Sequence, residues 1–168
     1  MKFVKLFLYL LLGAFVVIQF FRPKKNINKG PEATASNISK IINVPENING
    51  ILVKACNDCH SNNTKYPWYA NIMPVGWVLS NHVKEGKKEL NFDEFATYSP
   101  RRQKKKLEEV ADEVKEGKMP ISGYKKLHKE ARLTEEEKTA LINWATEAGN
   151  AIVAPAPPPG APPANKPQ

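Results

Sequence analysis

The chain begins with a long apolar run. Residues 6–21 are apolar apart from Gln19, and counting from Phe3 gives 19 residues when the Lys5 side chain extends outward toward the headgroups. About 20 apolar residues form a helix that spans a bilayer. The run ends in Phe20-Phe21 and a basic segment, not in the small residues that a signal peptidase cleaves. We therefore predict an uncleaved signal anchor and transmembrane helix over residues 1–25, and a polar tether over residues 26–42.

Residues 43–150 carry apolar side chains at helical spacing. The groups with this spacing are Ile48, Ile51, Leu52, Ala55 and Cys59; Val75, Val78, Leu79 and His82; Leu107, Val110, Ala111 and Val114; and Leu141, Trp144, Ala145 and Ala148. Ser99-Pro100 is typical of a helix start, Gly117 of a helix end, and Thr134-x-x-Glu137 of a capping box. No run alternates convincingly between apolar and polar residues. The pattern predicts an all-α domain.

Proline and alanine dominate the C-terminal segment. Residues 151–168 contain seven prolines. Such a composition favours an extended chain without a packed core. We predict a disordered Pro/Ala-rich tail over residues 151–168.

The net charge of +8 lies mostly outside the predicted domain. Residues 1–29 carry six basic and no acidic side chains, whereas residues 30–150 carry 18 basic and 17 acidic ones. A surface that binds nucleic acid needs an excess of cations on the folded domain. The distribution therefore argues against nucleic acid as a partner.

Both cysteines lie in one pentapeptide, Cys56-Asn57-Asp58-Cys59-His60. On a helix, the two thiols and the imidazole would project from one face, because they lie three and four residues apart. Thiols so placed can bond the two vinyl groups of a porphyrin while the imidazole reaches its iron, and Cys-x-x-Cys-His is a known attachment pattern for haem c. We predict one covalently bound haem c, with Cys56 and Cys59 as thioethers and His60 as the proximal axial ligand.

Three other interpretations of the pentapeptide have less support. A structural zinc site needs four ligands, and the other histidines, His82 and His128, are isolated from each other. A thioredoxin-like redox pair would lie in a βαβ pattern, which is absent here. Buried, inert cysteines are the third alternative.

The second axial position of the iron has several candidates. Met119 is the best of them, because Pro120 disfavours a helical conformation at Met119 and should leave its thioether in a loop after a helix. A methionine opposite a histidine raises the reduction potential of a haem. Met73, which also precedes a proline, His82, His128 and an open or water-bound iron are the alternatives.

A succession of short motifs between Cys56 and Trp144 resembles one family, the bacterial haem-binding domain family of exported monohaem c-type cytochromes. The motifs are Ala55-Cys56-Asn57-Asp58-Cys59-His60-Ser61-Asn62, Tyr66-Pro67-Trp68-Tyr69, Pro74-Val75-Gly76-Trp77, Glu85-Gly86, Leu90-Asn91-Phe92, Glu116-Gly117-Lys118-Met119-Pro120, Tyr124-x-x-Leu127-His128, Ala131-Arg132-Leu133-Thr134 and Leu141-Ile142-x-Trp144. The resemblance implies a cytochrome c-like α-fold and Met119 as the distal iron ligand.

The expected function is that of an electron carrier and not of an enzyme, since no distal acid–base pair is identifiable. Haem of this type is attached outside the bacterial cytoplasm, so the domain should face the periplasm from the cytoplasmic membrane, with redox proteins as partners. A haem-based ligand sensor with a labile distal site is the alternative. The basic run Arg101-Arg102-Gln103-Lys104-Lys105-Lys106 is either a solvated helix face or a docking site for an acidic redox partner or anionic lipid.

Overall fold

The structure of the protein, a computed structural model, describes residues 2–28, 30 and 34–152. Its α-helices are α1 (Lys2–Ile18), α2 (Glu46–Ala55), α3 (Asn57–His60), α4 (Val75–Glu89), α5 (Pro100–Lys115), α6 (Ser122–Leu127) and α7 (Glu135–Ala151). Short 3-10 helices cover Ile38–Lys40, Trp68–Asn71, Phe92–Thr97 and Lys129–Ala131. Over these ranges there is no β-strand, only an isolated bridge between Ile27 and Asn63. The prediction of an all-α chain is confirmed.

The N-terminal apolar run forms a helix that is shorter than we predicted. Helix α1 has 17 residues and ends at Ile18, so at 1.5 Å per residue it is about 25 Å long, whereas the hydrocarbon core of a bilayer is about 30 Å thick. Within the described part of the chain, no helix combines the length and the apolar character needed to cross a membrane. The prediction of an N-terminal transmembrane helix is therefore unsupported.

Helices α5 and α7 form the centre of the core, and their caps match the sequence signals. The Ser99 hydroxyl caps α5, with Pro100 in its first turn, and Thr134 and Glu137 form a capping box on α7. Leu107 of α5 and Leu141 and Ala145 of α7 are fully buried. Helix α2 completes the cluster with a buried face composed of Ile48, Ile51, Leu52 and Ala55. Burial of these apolar faces, about 25 cal/mol per Å², is the main force that holds the helices together.

The segment predicted as a tether contacts the domain at several of its described residues. The Asn26 side-chain amide donates hydrogen bonds to the Ser61 carbonyl at 2.9 Å and to the Thr64 hydroxyl at 3.0 Å. Further along, Ile38 is buried in the core, and the Asn37 amide donates to the Asp93 carboxylate at 2.7 Å. Polar side chains of this segment thus form hydrogen bonds with the domain. Of the predicted tail, residues 153–168 lie outside the described residues.

Candidate haem site

Two adjoining cavities of about 220 and 470 Å³ lie beside the Cys-x-x-Cys-His pentapeptide. Such volumes are of the order found for small-molecule sites. The smaller cavity is bordered by Cys56, Cys59, His60 and Met119. His60 and Met119 also border the larger cavity, which the cysteines do not reach. The fold therefore brings together all four residues that the sequence singled out.

The spacing predicted that the pentapeptide continues the preceding helix, but the structure has a bend between them. Helix α2 ends at Ala55, and Cys56 has φ −123° and ψ −45° before α3 begins at Asn57. The Cys56 carbonyl accepts hydrogen bonds from the backbone N–H groups of Cys59 at 3.1 Å and His60 at 3.0 Å. The turn after the bend thus retains helical spacing, so both thiols and the imidazole still border the same cavity.

Both thiols are free and half-buried. Burial raises the pKa of Cys56 to about 12, with the nearby Cys59 adding to the rise. Burial, and then the Asp58 charge, raises the pKa of Cys59 to about 11. Both cysteines are therefore neutral thiols at physiological pH, compatible with a predominantly apolar ligand.

The imidazole of His60 is held in a defined orientation. Its Nδ1 lies 2.9 Å from the Leu90 carbonyl oxygen, which can only accept, so Nδ1 carries the proton and Nε2 keeps its lone pair. Burial lowers the pKa of His60, although hydrogen bonds to the backbone of Leu90 and Gly86 oppose this effect. A neutral imidazole whose second nitrogen is fixed by a carbonyl is the usual arrangement of a metal-ligating histidine.

A buried polar cluster fixes the loop that supplies this carbonyl. Asn91 is almost fully buried, and its side-chain amide donates to the Asn62 side-chain oxygen at 2.8 Å. The Asp93 carboxylate accepts from the Asn62 backbone N–H at 2.8 Å, and Phe92 contacts the His60 ring edge-on. The motif Leu90-Asn91-Phe92 had no predicted role. Its buried asparagine was the available signal, because a buried amide must be hydrogen-bonded.

Helix α4 lies very close to α3, and Gly86 makes this approach possible. A Cβ built at Gly86 would lie 2.8 Å from the Cys59 carbonyl oxygen and 3.0 Å from the Cys59 Cβ. The contact to the carbonyl oxygen is shorter than side chains essentially ever make, and the contact to the Cys59 Cβ is tighter than most. A glycine at this position therefore allows the turn that carries the pentapeptide to rest directly on α4.

Gly86→Ala should destabilise the protein by about 1–3 kcal/mol, the usual cost of forcing an extra methyl group into a packed interior. The measurement is urea unfolding of the haem-loaded protein, followed by circular dichroism. Gly123→Ala is the matched control, because Gly123 is also helical and a Cβ there meets nothing within 4 Å. The control should be neutral or up to about 1 kcal/mol more stable, as alanine favours a helix. Equal stability of both variants would show that the close contact at Gly86 is unimportant.

Met119 leaves the core structure at a defined helix end. Helix α5 stops at Lys115, and Gly117 adopts φ +71°, the left-handed conformation that favours glycine. The N–H groups of Gly117 and Lys118 donate to the Val114 and Glu113 carbonyls at 3.1 and 3.0 Å, the pattern of a Schellman motif. The prediction that Gly117 ends this helix and that Met119 follows in a loop is confirmed.

The other candidates for the second axial position differ in their access to the cavities. Met73 is 1% exposed, packs against Gly76 and borders neither cavity. His128 also borders neither, and its Nε2 lies 2.7 Å from the Tyr69 hydroxyl. His82 of α4 does border the smaller cavity. Met119 and His82 are thus the side chains of the predicted set that border the same cavity as His60.

Tyr124 borders the smaller cavity and is hydrogen-bonded to the pentapeptide. Its hydroxyl donates to the Asp58 carboxylate at 2.6 Å, and Asp58 lies between the two cysteines. Burial, followed by the hydrogen bond to Asp58, raises the pKa of Tyr124. The phenol therefore remains a neutral donor that holds α6 against the pentapeptide.

These features fit a haem better than a bare metal ion. The smaller cavity is predominantly apolar, as a porphyrin requires, and it offers two thiols, an oriented imidazole and a thioether. Among the described residues, no group of three or more histidine, cysteine, aspartate or glutamate side chains is arranged to hold a metal ion. The zinc interpretation therefore has no ligand set in this part of the chain.

Comparison with protein families gives a direct result. The profile of the haem-binding domain family matches residues 13–147, which is most of the chain. The chain belongs to the haem-binding domain family. The match includes the pentapeptide, the Leu90 loop and Met119, and it confirms the resemblance drawn from the sequence motifs. Comparisons with curated proteins and with solved structures gave no match.

Proposed function

We propose that this haem-binding domain is a monohaem c-type cytochrome that carries single electrons. The observation that carries the proposal is the position of His60 and Met119, which border the same two cavities while Cys56 and Cys59 border one of them. Two protein ligands would fill both axial positions of the iron. Such a site favours electron transfer over the binding of an external ligand.

Each residue of the proposed site has a separate task. When bound, haem supplies an iron that cycles between the ferrous and ferric states. Cys56 and Cys59 attach the porphyrin through thioether bonds, so it remains on the chain in both states. His60 presents Nε2 because the Leu90 carbonyl fixes its tautomer. Met119 contributes a soft, neutral thioether that favours ferrous iron and so raises the reduction potential.

The apolar residues near the site support this function as well. Leu90, Phe92, Val110 and Val114 border the larger cavity, and Phe92 contacts the His60 ring. They would cover the porphyrin and keep water from the iron. Burial of this kind is one of the means by which a protein tunes the potential of a haem.

We place the domain on the outer face of the bacterial cytoplasmic membrane, because haem is attached to Cys-x-x-Cys-His sequences outside the cytoplasm. Helix α1 supports an association with lipid, since its apolar side chains are exposed from Phe3 to Val17. Gln19 links the end of this helix to the domain. Its side-chain amide donates to the Met73 carbonyl at 3.1 Å, and its side-chain oxygen accepts from the Met73 N–H at 2.9 Å. A lipid-bound α1 would therefore hold the domain close to the membrane surface.

The test is the response of the reduced, haem-loaded protein to carbon monoxide. With both axial positions filled, its visible spectrum should not change when the gas is added. A redox titration should show one transition with the slope of a one-electron couple. Rapid formation of a carbonyl complex would instead favour the ligand sensor. Met119 lies in a loop and is 36% exposed, so the ligand sensor is the alternative that this test must exclude.

A further inference from the structure

Two segments that contact each other near the haem site each expose a large apolar side chain. Trp68 is 76% exposed and Leu127 is 65% exposed. Tyr69, which follows Trp68, and His128, which follows Leu127, are hydrogen-bonded, since the Tyr69 hydroxyl lies 2.7 Å from His128 Nε2. Exposed tryptophan is costly in water and is enriched among the residues that dominate protein interfaces.

Five cations lie on the same two segments as this apolar pair. We define the docking patch as Trp68 and Leu127 together with the basic residues Lys65, Lys125, Lys126, Lys129 and Arg132. The Lys65 backbone N–H donates to Asp58, which Tyr124 of α6 also contacts, and the Arg132 Nε donates to the Lys125 carbonyl at 2.8 Å. Within the described ranges, no carboxylate lies within ion-pair distance of these five cations. Glu130 is the acid beside them, and it faces His128 at 3.2 Å. The patch is therefore a positively charged surface with an apolar centre.

A continuous set of aromatic rings leads from this patch to the haem site. The ring centroids of Trp68 and Tyr69 are 5.9 Å apart, and those of Tyr69 and His128 are 6.3 Å apart. The His128 ring stacks on Tyr124 at 4.2 Å, and Tyr124 borders the cavity that contains both cysteines. Because electron tunnelling weakens steeply with distance, a redox centre is best docked where so little protein separates it from the haem.

The basic run at the start of α5 is less suited to the same task. Lys105 and Lys106 both form ion pairs with Glu109, and Lys106 also pairs with Glu89. The Arg102 guanidinium lies over the Tyr98 ring. Two of the five cations of this run are thus paired with carboxylates.

We propose that the docking patch binds an acidic redox protein with which the haem exchanges electrons; this inference rests on the proposed electron-transfer function. Unpaired lysines would steer the acidic partner, and Trp68 and Leu127 would form the desolvated centre of the complex. In each encounter one electron passes between the metal centre of the partner and the haem iron. One centre is oxidised as the other is reduced, and no bond forms or breaks.

The experiment compares two charge-reversal variants of the full-length, haem-loaded protein in neutral detergent. Lys65→Glu/Lys126→Glu/Lys129→Glu alters the docking patch, and Arg101→Glu/Lys105→Glu/Lys115→Glu alters α5. All six side chains are exposed, and both variants change the net charge equally, so the overall field of the molecule is matched. Each reduced protein is mixed with oxidised plastocyanin, an acidic blue-copper protein, and separately with the small oxidant hydroxymethylferrocenium.

At low ionic strength the patch variant should reduce plastocyanin at least roughly tenfold more slowly than the wild type, because steering by a charged surface changes association rates by about 10–10³. The rate of the α5 variant should fall by less than about threefold. Added salt screens the charges, so it should slow the wild type more than either variant. Trp68→Ala should also slow the reaction, whereas Trp68→Phe should retain most of the rate.

Equal plastocyanin rates for the wild type and the patch variant would overturn the docking proposal, as would an α5 variant slowed as much as the patch variant. The reaction with hydroxymethylferrocenium separates this failure from a failure of the proposed function. If all the proteins reduce it at similar rates, the electron carrier stands whatever the plastocyanin result. If the wild type does not reduce it at all, both the proposed function and the docking proposal are wrong.

Discussion

A Cys56→Ala/Cys59→Ala variant should lose all haem in a denaturing gel, whereas the wild type should keep a haem-dependent stain at the position of the polypeptide. Axial bonds to the iron break when the chain unfolds, but thioether bonds do not. The structure supports this expectation because both free thiols border the cavity that also contains His60. The loss should be complete, which makes this the largest effect that we predict.

Single substitutions provide the matched control. Cys56→Ala and Cys59→Ala each leave one thiol, so each variant should retain some covalent stain. Native spectra of the double variant report separately whether haem still enters the cavity without bonds to it. If acid-acetone extracts all the haem from the wild type, the attachment is not covalent, although the protein still belongs to a haem-binding family.

Met119→Ala should open the iron and lower the reduction potential. The substitution removes the thioether that borders both cavities, and axial ligands set haem potentials over a range of about 0.8 V. The reduced variant should therefore bind carbon monoxide, which the wild type should not. Stability should change little, because Met119 lies in a loop and is partly exposed.

Two control variants make the ligand assignment specific. Met73→Ala removes the other methionine that precedes a proline; it should cost about 2–5 kcal/mol of stability because Met73 is fully buried, yet leave the potential unchanged. His82→Ala removes the histidine that borders the smaller cavity and should leave carbon monoxide excluded. If His82→Ala opens the iron and Met119→Ala does not, the distal ligand is His82.

Local signals in the sequence were sufficient for the helix ends and for the core of α5 and α7. Ser99, Gly117 and the Thr134–Glu137 capping box act within one turn of the chain, so their effect can be recognised from spacing alone. Leu107 and Leu141 are likewise buried as their helical spacing predicts.

Features that depend on contacts distant in sequence could not be predicted in this way. Val75 and Val78 have helical spacing but are 42% and 55% exposed, because α4 instead buries Gly76 and Val83. The bend at Cys56 and the hydrogen bond from His60 to Leu90, 30 residues away, likewise depend on packing between segments.

The burial of Met73 shows the same limit. Met73-Pro74 and Met119-Pro120 are identical dipeptides, so the sequence alone left both methionines as candidate ligands of the iron. The structure separates them, because Met73 is enclosed beside Gly76 while Met119 follows the end of α5 at the cavity.

The far-red absorption of the oxidised wild-type protein at neutral pH tests most directly whether Met119 is the second ligand of the iron. A thioether bonded to ferric haem iron gives a weak sulfur-to-iron band in this region, as expected for cytochromes with histidine and methionine ligands. We expect that the wild type shows this band and that Met119→Ala abolishes it. A low-spin ferric spectrum without the band, or a band that survives in Met119→Ala, would contradict the central claim that His60 and Met119 hold the iron.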